Sequence, residues 1–277
     1  MTSPVPDTPR CCVQASGGAG SLSSAMTTRM SIAKPVAPTA AAIRARLRAL
    51  ADPGIASASQ RFFKTGPGEY GHGDRFLGIR VPTLRKLARE YRAAPVAVAF
   101  ALLRSPLHEE RTLALLILVT RYARGTEAEQ QGIYEQYLKH VPKHVNNWDL
   151  VDSSAHYIVG AHLVERDRGV LYELARSPHL WSRRVAIIAT FWFIKQDSFE
   201  DTLAIAEQLL DDREDLMHKA AGWMLREVGN RDRAIAESFL RRHCRDMPRT
   251  MLRYAIEKLP ERARRAYLEG TIRKGKR

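Results

Sequence analysis

A spacing of about 36 residues constrains this chain more than any other feature. Leu103-Arg104-Ser105-Pro106 recurs as Ala175-Arg176-Ser177-Pro178, with Arg, Ser and Pro in register 72 positions apart. Carried forward, that register pairs Thr112 with Arg184, and halfway between them stands Trp148. Beyond Arg184, the phrase Arg-Val-Ala-Ile is echoed by Lys219-Ala220-Ala221-Gly222 and then by Arg253-Tyr254-Ala255-Ile256. The steps are about 36, 36, 35 and 34 residues, the length of a two-helix solenoid unit. From about residue 41 the pattern is helical. Pro82 and Pro95 stand where the first turn of a helix tolerates proline. Ser198 with Asp201 resembles a capping box, and Pro248 and Pro260 open the last two helices. No alternating run of β-branched residues argues for a strand. The expected fold is therefore all-α, an α-solenoid of HEAT-like two-helix repeats with a concave basic surface. It forms one domain over residues 41–277. Residues 1–40, rich in Ser, Ala, Pro, Thr and Gly, read as a flexible tail.

Charge narrows the partner. The chain carries 44 Lys and Arg against 30 acids, a formal +14 over 277 residues. Such an excess favours a polyanion, either nucleic acid or an anionic surface. No apolar run approaches the roughly 20 residues that span a bilayer, so no membrane partner is expected. Cys11, Cys12 and Cys244 make no disulfide framework, which points to a reducing cytoplasm. A soluble monomer is expected there.

In a solenoid, equivalent positions stack into columns. One column reads Thr112, Trp148, Arg184, Lys219, Arg253; the column one turn along reads Leu116, Asp152, Ile188, Trp223, Glu257. Trp148 and Asp152, four apart, share a helix face. With Asn147 as N-cap, Asp149 falls in the first turn, where the helix dipole favours an acid. Asp152 lies further in and gains nothing from that position. Composition favours a bland role for it, solvated or paired with Arg184. Against that, a carboxylate facing phosphates is repulsive unless something cationic forms beside it. A cationic substrate or transition state held on a polyanion would supply that charge.

Tryptophan in a helical protein is core by default, and Trp181 and Trp192 fit that default. The register instead sets Trp148 and Trp223 beside Asp152, where aromatic faces stack on a base or sugar and stabilise positive charge. Arg184, Lys219 and Arg253 share a ridge suited to phosphates, although solvated cations are the plainer reading. The match of residues 66–71 to G-x-G-x-x-G lacks a preceding strand and carries Pro67 in the turn, so dinucleotide binding is rejected. His140 and His144 have no companions to complete a metal set and read as surface residues.

Phe76-Leu77-Gly78-Ile79-Arg80-Val81-Pro82, Trp148-Asp149-Leu150-Val151-Asp152, Trp181-Ser182-Arg183-Arg184-Val185-Ala186 and Gly222-Trp223-Met224-Leu225-Arg226-Glu227 resemble, in order, the motifs of the AlkD-like DNA alkylation repair family. The likeness spans roughly residues 45–270. It implies a HEAT-like solenoid acting on double-stranded DNA that contains alkylated purines. The implied reaction hydrolyses the N-glycosidic bond of N3- or N7-alkylated purines without flipping the base. Under the resemblance, Asp152 matches the catalytic aspartate, Trp148 and Trp223 match the tryptophans at the damaged nucleotide's sugar, and Arg184 matches an arginine near the backbone. Residues 64–75 form a longer Gly-rich entry than the family pattern, so no DNA contact is carried over there.

One acid suffices for that chemistry. Glycosidases ordinarily use two carboxylates, one of them to protonate the leaving group. An N3- or N7-alkylated purine already carries positive charge and leaves unprotonated. What remains is to stabilise an oxocarbenium-like sugar and position a water, with no metal or other cofactor. Two other readings stand beside it: a DNA-structure-binding solenoid without catalysis, and a protein-binding scaffold.

Overall fold

The computed structural model describes residues 37–272. The expected tail lies outside the described residues as far as position 36, as do the terminal cations Arg273 to Arg277. Helices follow one another throughout. They are α1 (Ala40–Arg48), α2 (Pro53–Phe62), α3 (Val81–Glu90), α4 (Val96–Leu103), α5 (His108–Arg124), α6 (Glu127–His144), α7 (Trp148–Asp152), α8 (Gly169–Ala175), α9 (Leu180–Ala189), α10 (Phe191–Ile194), α11 (Glu200–Gln208), α12 (Asp215–Arg231), α13 (Arg233–His243), α14 (Arg249–Ala255) and α15 (Glu261–Leu268). A π-helical turn, His156–Gly160, follows α7. Among the described residues there is no strand, only an isolated bridge between Arg75 and Leu107. No helix among them is long and apolar enough to cross a membrane.

The packing order is that of a solenoid. The second helices of successive pairs touch in sequence: α5 against the π-turn, α7 against α9, α9 against α12, and α12 against α14. The first helices back them, with α4 on α5, α8 on α9, and α11 and α13 on α12. Core residues such as Leu113, Ile117, Val151, Val185, Ile188, Ala221 and Leu252 seal the layer between them. Each buried aliphatic side chain removes roughly 1.5–3 kcal/mol of apolar exposure, so a helix pair is stable only against its neighbours.

Two local expectations fail. Ser198 and Asp201 make no capping box. Phe199 is the N-cap of α11, with no side-chain cap bond. Ser198 and Asp201 instead receive Arg168 Nη1, at 3.3 and 2.6 Å, and a cation across the repeat boundary outweighs a local backbone donor. The columns also lose members to the core, since Ile188 is fully buried, Thr112 is 5% exposed and Leu116 is half-buried.

Close helix approach shapes the far end. A Cβ on Gly222 would lie 2.5 Å from the Met251 carbonyl oxygen and 2.6 Å from Tyr254 Cβ. Only glycine lets α12 and α14 meet there, which sets Tyr254 near Trp223.

Candidate nucleic-acid groove

α7 is short, about one and a half turns. Asn147 caps it, Trp148 begins it, and Asp152 ends it just ahead of the π-turn. That places Trp148 and Asp152 on one face, above a groove of about 630 Å³. The groove is lined by Phe62, Lys64 and Tyr70 from the end of α2 and its following loop, and by Trp148, Asp152 and Arg184 from α7 and α9. Glu214, Asp215, Leu216, Lys219, Trp223 and Arg226 come from α12 and its approach, and Tyr254 from α14. Thus five residues singled out by register, Trp148, Asp152, Arg184, Lys219 and Trp223, share one groove; Arg253 is exposed and lines none of it. The lining holds four cations and three acids, so this groove is only slightly basic.

Asp152 is held rather than free. Arg184 donates Nε to Oδ1 and Nη2 to Oδ2, both at 2.8 Å, while its Nη1 donates to the Leu216 carbonyl at 2.6 Å. The Arg184 side chain is 5% exposed against 17% for Asp152. Arg184 therefore clamps the carboxylate at both oxygens, the pairing that the plainer reading of Asp152 named. Burial pushes the Asp152 carboxyl above the usual aspartate range, against the opposing pull of Arg184.

The two groove tryptophans are fixed by their edges. Trp223 Nε1 donates to Glu227 Oε1 at 2.8 Å. Burial raises the Tyr70 hydroxyl pKa, and the neighbouring Trp148 indole opposes that rise. Trp223 thus has its polar edge satisfied within the protein, and both rings line the groove. Trp148 also stacks on Phe63, with centroids 5.4 Å apart, and meets exposed Phe62 edge-on at 6.1 Å. Lys219 sits 2.8 Å from Asp215 and remains 40% exposed. Arg226 is paired with Glu257 and Glu227.

Asp149 does more than start a helix. Its Oδ2 accepts from His108 Nε2 at 2.8 Å, and His108 Nδ1 donates to Asp74 Oδ2 at 2.8 Å. Arg111 pairs with the other oxygen of Asp74, and Asn147 Nδ2 approaches Oδ2 at 3.4 Å. Burial disfavours the charged imidazole, but Asp149 and Asp74 together push His108 up to about 9. This buried network pins the Gly-rich loop to α5 and α7, and so carries Tyr70 to Trp148. Glu109 completes the attachment by accepting the backbone N–H groups of Leu77, Gly78 and Ile79 at 2.8, 2.7 and 3.1 Å.

A separate cavity of about 370 Å³ under α2 and α3 touches Asp149 and Thr112 but neither Trp148 nor Asp152. Sequence reasoning missed Phe62, Tyr70, Tyr254 and Glu227. The Phe62-Phe63 doublet before the Gly-rich stretch and the tyrosine beside Arg253 were the available signals.

Over residues 43–259 the sequence matches the family model described as DNA alkylation repair enzyme. A solved structure described as a predicted DNA alkylation repair enzyme from Enterococcus faecalis has a similar fold, with a TM-score of 0.59 at 16% identity. The match covers 76% of this chain and 97% of that one. No curated protein matches.

Proposed function

The chain belongs to the DNA alkylation repair enzyme family, and on that premise we propose that it is a monofunctional DNA glycosylase for N3- and N7-alkylated purines. The observation that carries the reading is Asp152, oriented by Arg184 in the same groove as the faces of Trp148 and Trp223. As the C–N bond lengthens, the purine leaves as a neutral base and positive charge develops on the sugar. Asp152 stabilises that charge and accepts a proton from the attacking water, while the indole faces add cation–π attraction. The leaving group needs no second acid. A flipped base is read by polar groups at its edge. Here Asp215 and Arg226 are engaged with protein partners, which supports action on the sugar without flipping. The enzyme acts as a monomer on duplex DNA, in the cytoplasm, with Lys219 and exposed Arg253 toward phosphates.

The same Arg184 pair favours a second reading, a DNA-structure-binding solenoid without catalysis, because a doubly hydrogen-bonded carboxylate is a weaker base. Duplex DNA containing 7-methylguanine decides between them. The protein should release free base, and Asp152→Asn should slow release by about 10²–10³ while leaving affinity unchanged. Binding without release supports the second reading. Normal release by Asp152→Asn would sink the mechanism.

A further inference from the structure

Lys195 stands beside the groove, at the end of α10. Its ammonium lies 4.4 Å from the centre of the Phe191 ring, 5.5 Å from Tyr157 and 5.8 Å from Trp192. Phe191 in turn packs 5.8 Å from Trp223, so the cluster continues directly from the groove wall. Lys195 is exposed and Tyr157 is 41% exposed. Among the described residues Glu227 is the one carboxylate whose charge reaches Lys195, and the two form no ion pair. Buried His156 lies under Tyr157 with their rings 3.8 Å apart, and its Nδ1 has no hydrogen-bond partner among the described residues. Burial, then Lys195, hold His156 down to about 4, so at neutral pH the cluster's charge is that of Lys195 alone.

An accessible cation on a flat exposed ring matches one repeating unit of a nucleic acid, with phosphate on the ammonium and sugar or base on the ring. We propose that Lys195 and Tyr157 form a second DNA contact, taking a backbone phosphate and the adjoining nucleoside of the strand that leaves the groove. The contact rests on the DNA substrate proposed above but not on the glycosidic chemistry. Burial against the rings draws the Lys195 ammonium below the ordinary lysine range and Glu227 only partly restores it. A docked phosphate would complete that restoration.

Equilibrium binding of undamaged duplex over a range of salt concentrations tests the contact. Lys195→Ala should lower the slope of log affinity against log salt by about one, and Lys195→Arg should keep it. Tyr157→Ala should weaken binding about tenfold at every salt concentration with the slope unchanged, as lost stacking requires. Tyr157→Leu serves if melting shows that the alanine variant is unfolded. Lys139→Ala, exposed on α6, should behave as wild type. The inference is overturned if Lys195→Ala binds like wild type with the same slope, if Lys139→Ala loses as much, or if the wild type binds no duplex. DNA binding lost on these substitutions in a protein that releases no base supports the contact and removes only the glycosylase reading.

Discussion

Arg184 grips Asp152 at both oxygens, Nε to Oδ1 and Nη2 to Oδ2, each at 2.8 Å. The grip fixes the carboxylate plane, and Arg184 is itself anchored on the Leu216 carbonyl in the first turn of α12. The acid is thereby oriented across two repeats. Breaking a buried pair from one side typically costs about 3–5 kcal/mol because a charge is left uncompensated.

Replacing Arg184 should move the pH profile in a stated direction. The proposed reaction needs Asp152 ionised, burial raises its pKa, and Arg184 lowers it. In Arg184→Met the acid limb of single-turnover base release should shift to higher pH, with a lower plateau. An unmoved limb would show that Arg184 does not act on the carboxyl.

His108 makes stability depend on pH. Its folded-state value of about 9 lies above the ordinary 6.5, so its contribution is complete below about 6.5 and is lost as pH rises through 9. The lost part is on the order of 3 kcal/mol. Urea melts at pH 6 and pH 9.5 should differ by that order in wild type, and His108→Gln should flatten the difference.

Gly78→Ala should destabilise the protein by at least about 2 kcal/mol, measured by urea unfolding. The residue has φ +84° and a Cβ there would lie 2.0 Å from the Asp52 carbonyl oxygen. Relief would require α2 to shift, and α2 carries Phe62 into the groove.

Tyr70→Phe removes the hydroxyl that stands beside the Trp148 indole in the groove lining. Melting temperature should stay within about 2 °C, as for loss of one partly exposed polar group. Release of 7-methylguanine should fall several-fold as the ring loses its orientation. An unchanged rate would show that Phe63 stacking alone sets Trp148.

The period of about 36 residues was legible because each repeat restates it, and it led to Trp148, Asp152 and Trp223. Register alone placed Arg184 beside Trp148, yet its long side chain spans a turn and ends on Asp152. The plainer reading of the acid, as Arg184's partner, is therefore the geometry observed. Asp149 looked complete as a helix-start residue because its partner His108 is 41 positions away. Asp74, a further 34 from His108, gave no local sign of burial. Contacts that cross repeats leave no periodic trace, which is why the pinned loop and Tyr70 stayed hidden.

The helix crossing at Gly222 limits how far the groove can vary at that end. Amino acids offer nothing between a hydrogen atom and a methyl group, so the aperture between α12 and α14 has no finer setting on that side. Variation has to enter from the opposite bank. There exposed Lys64 lines the groove while Asp74 moors the segment. One jaw of the groove is machined to a fixed stop, and the other carries replaceable teeth.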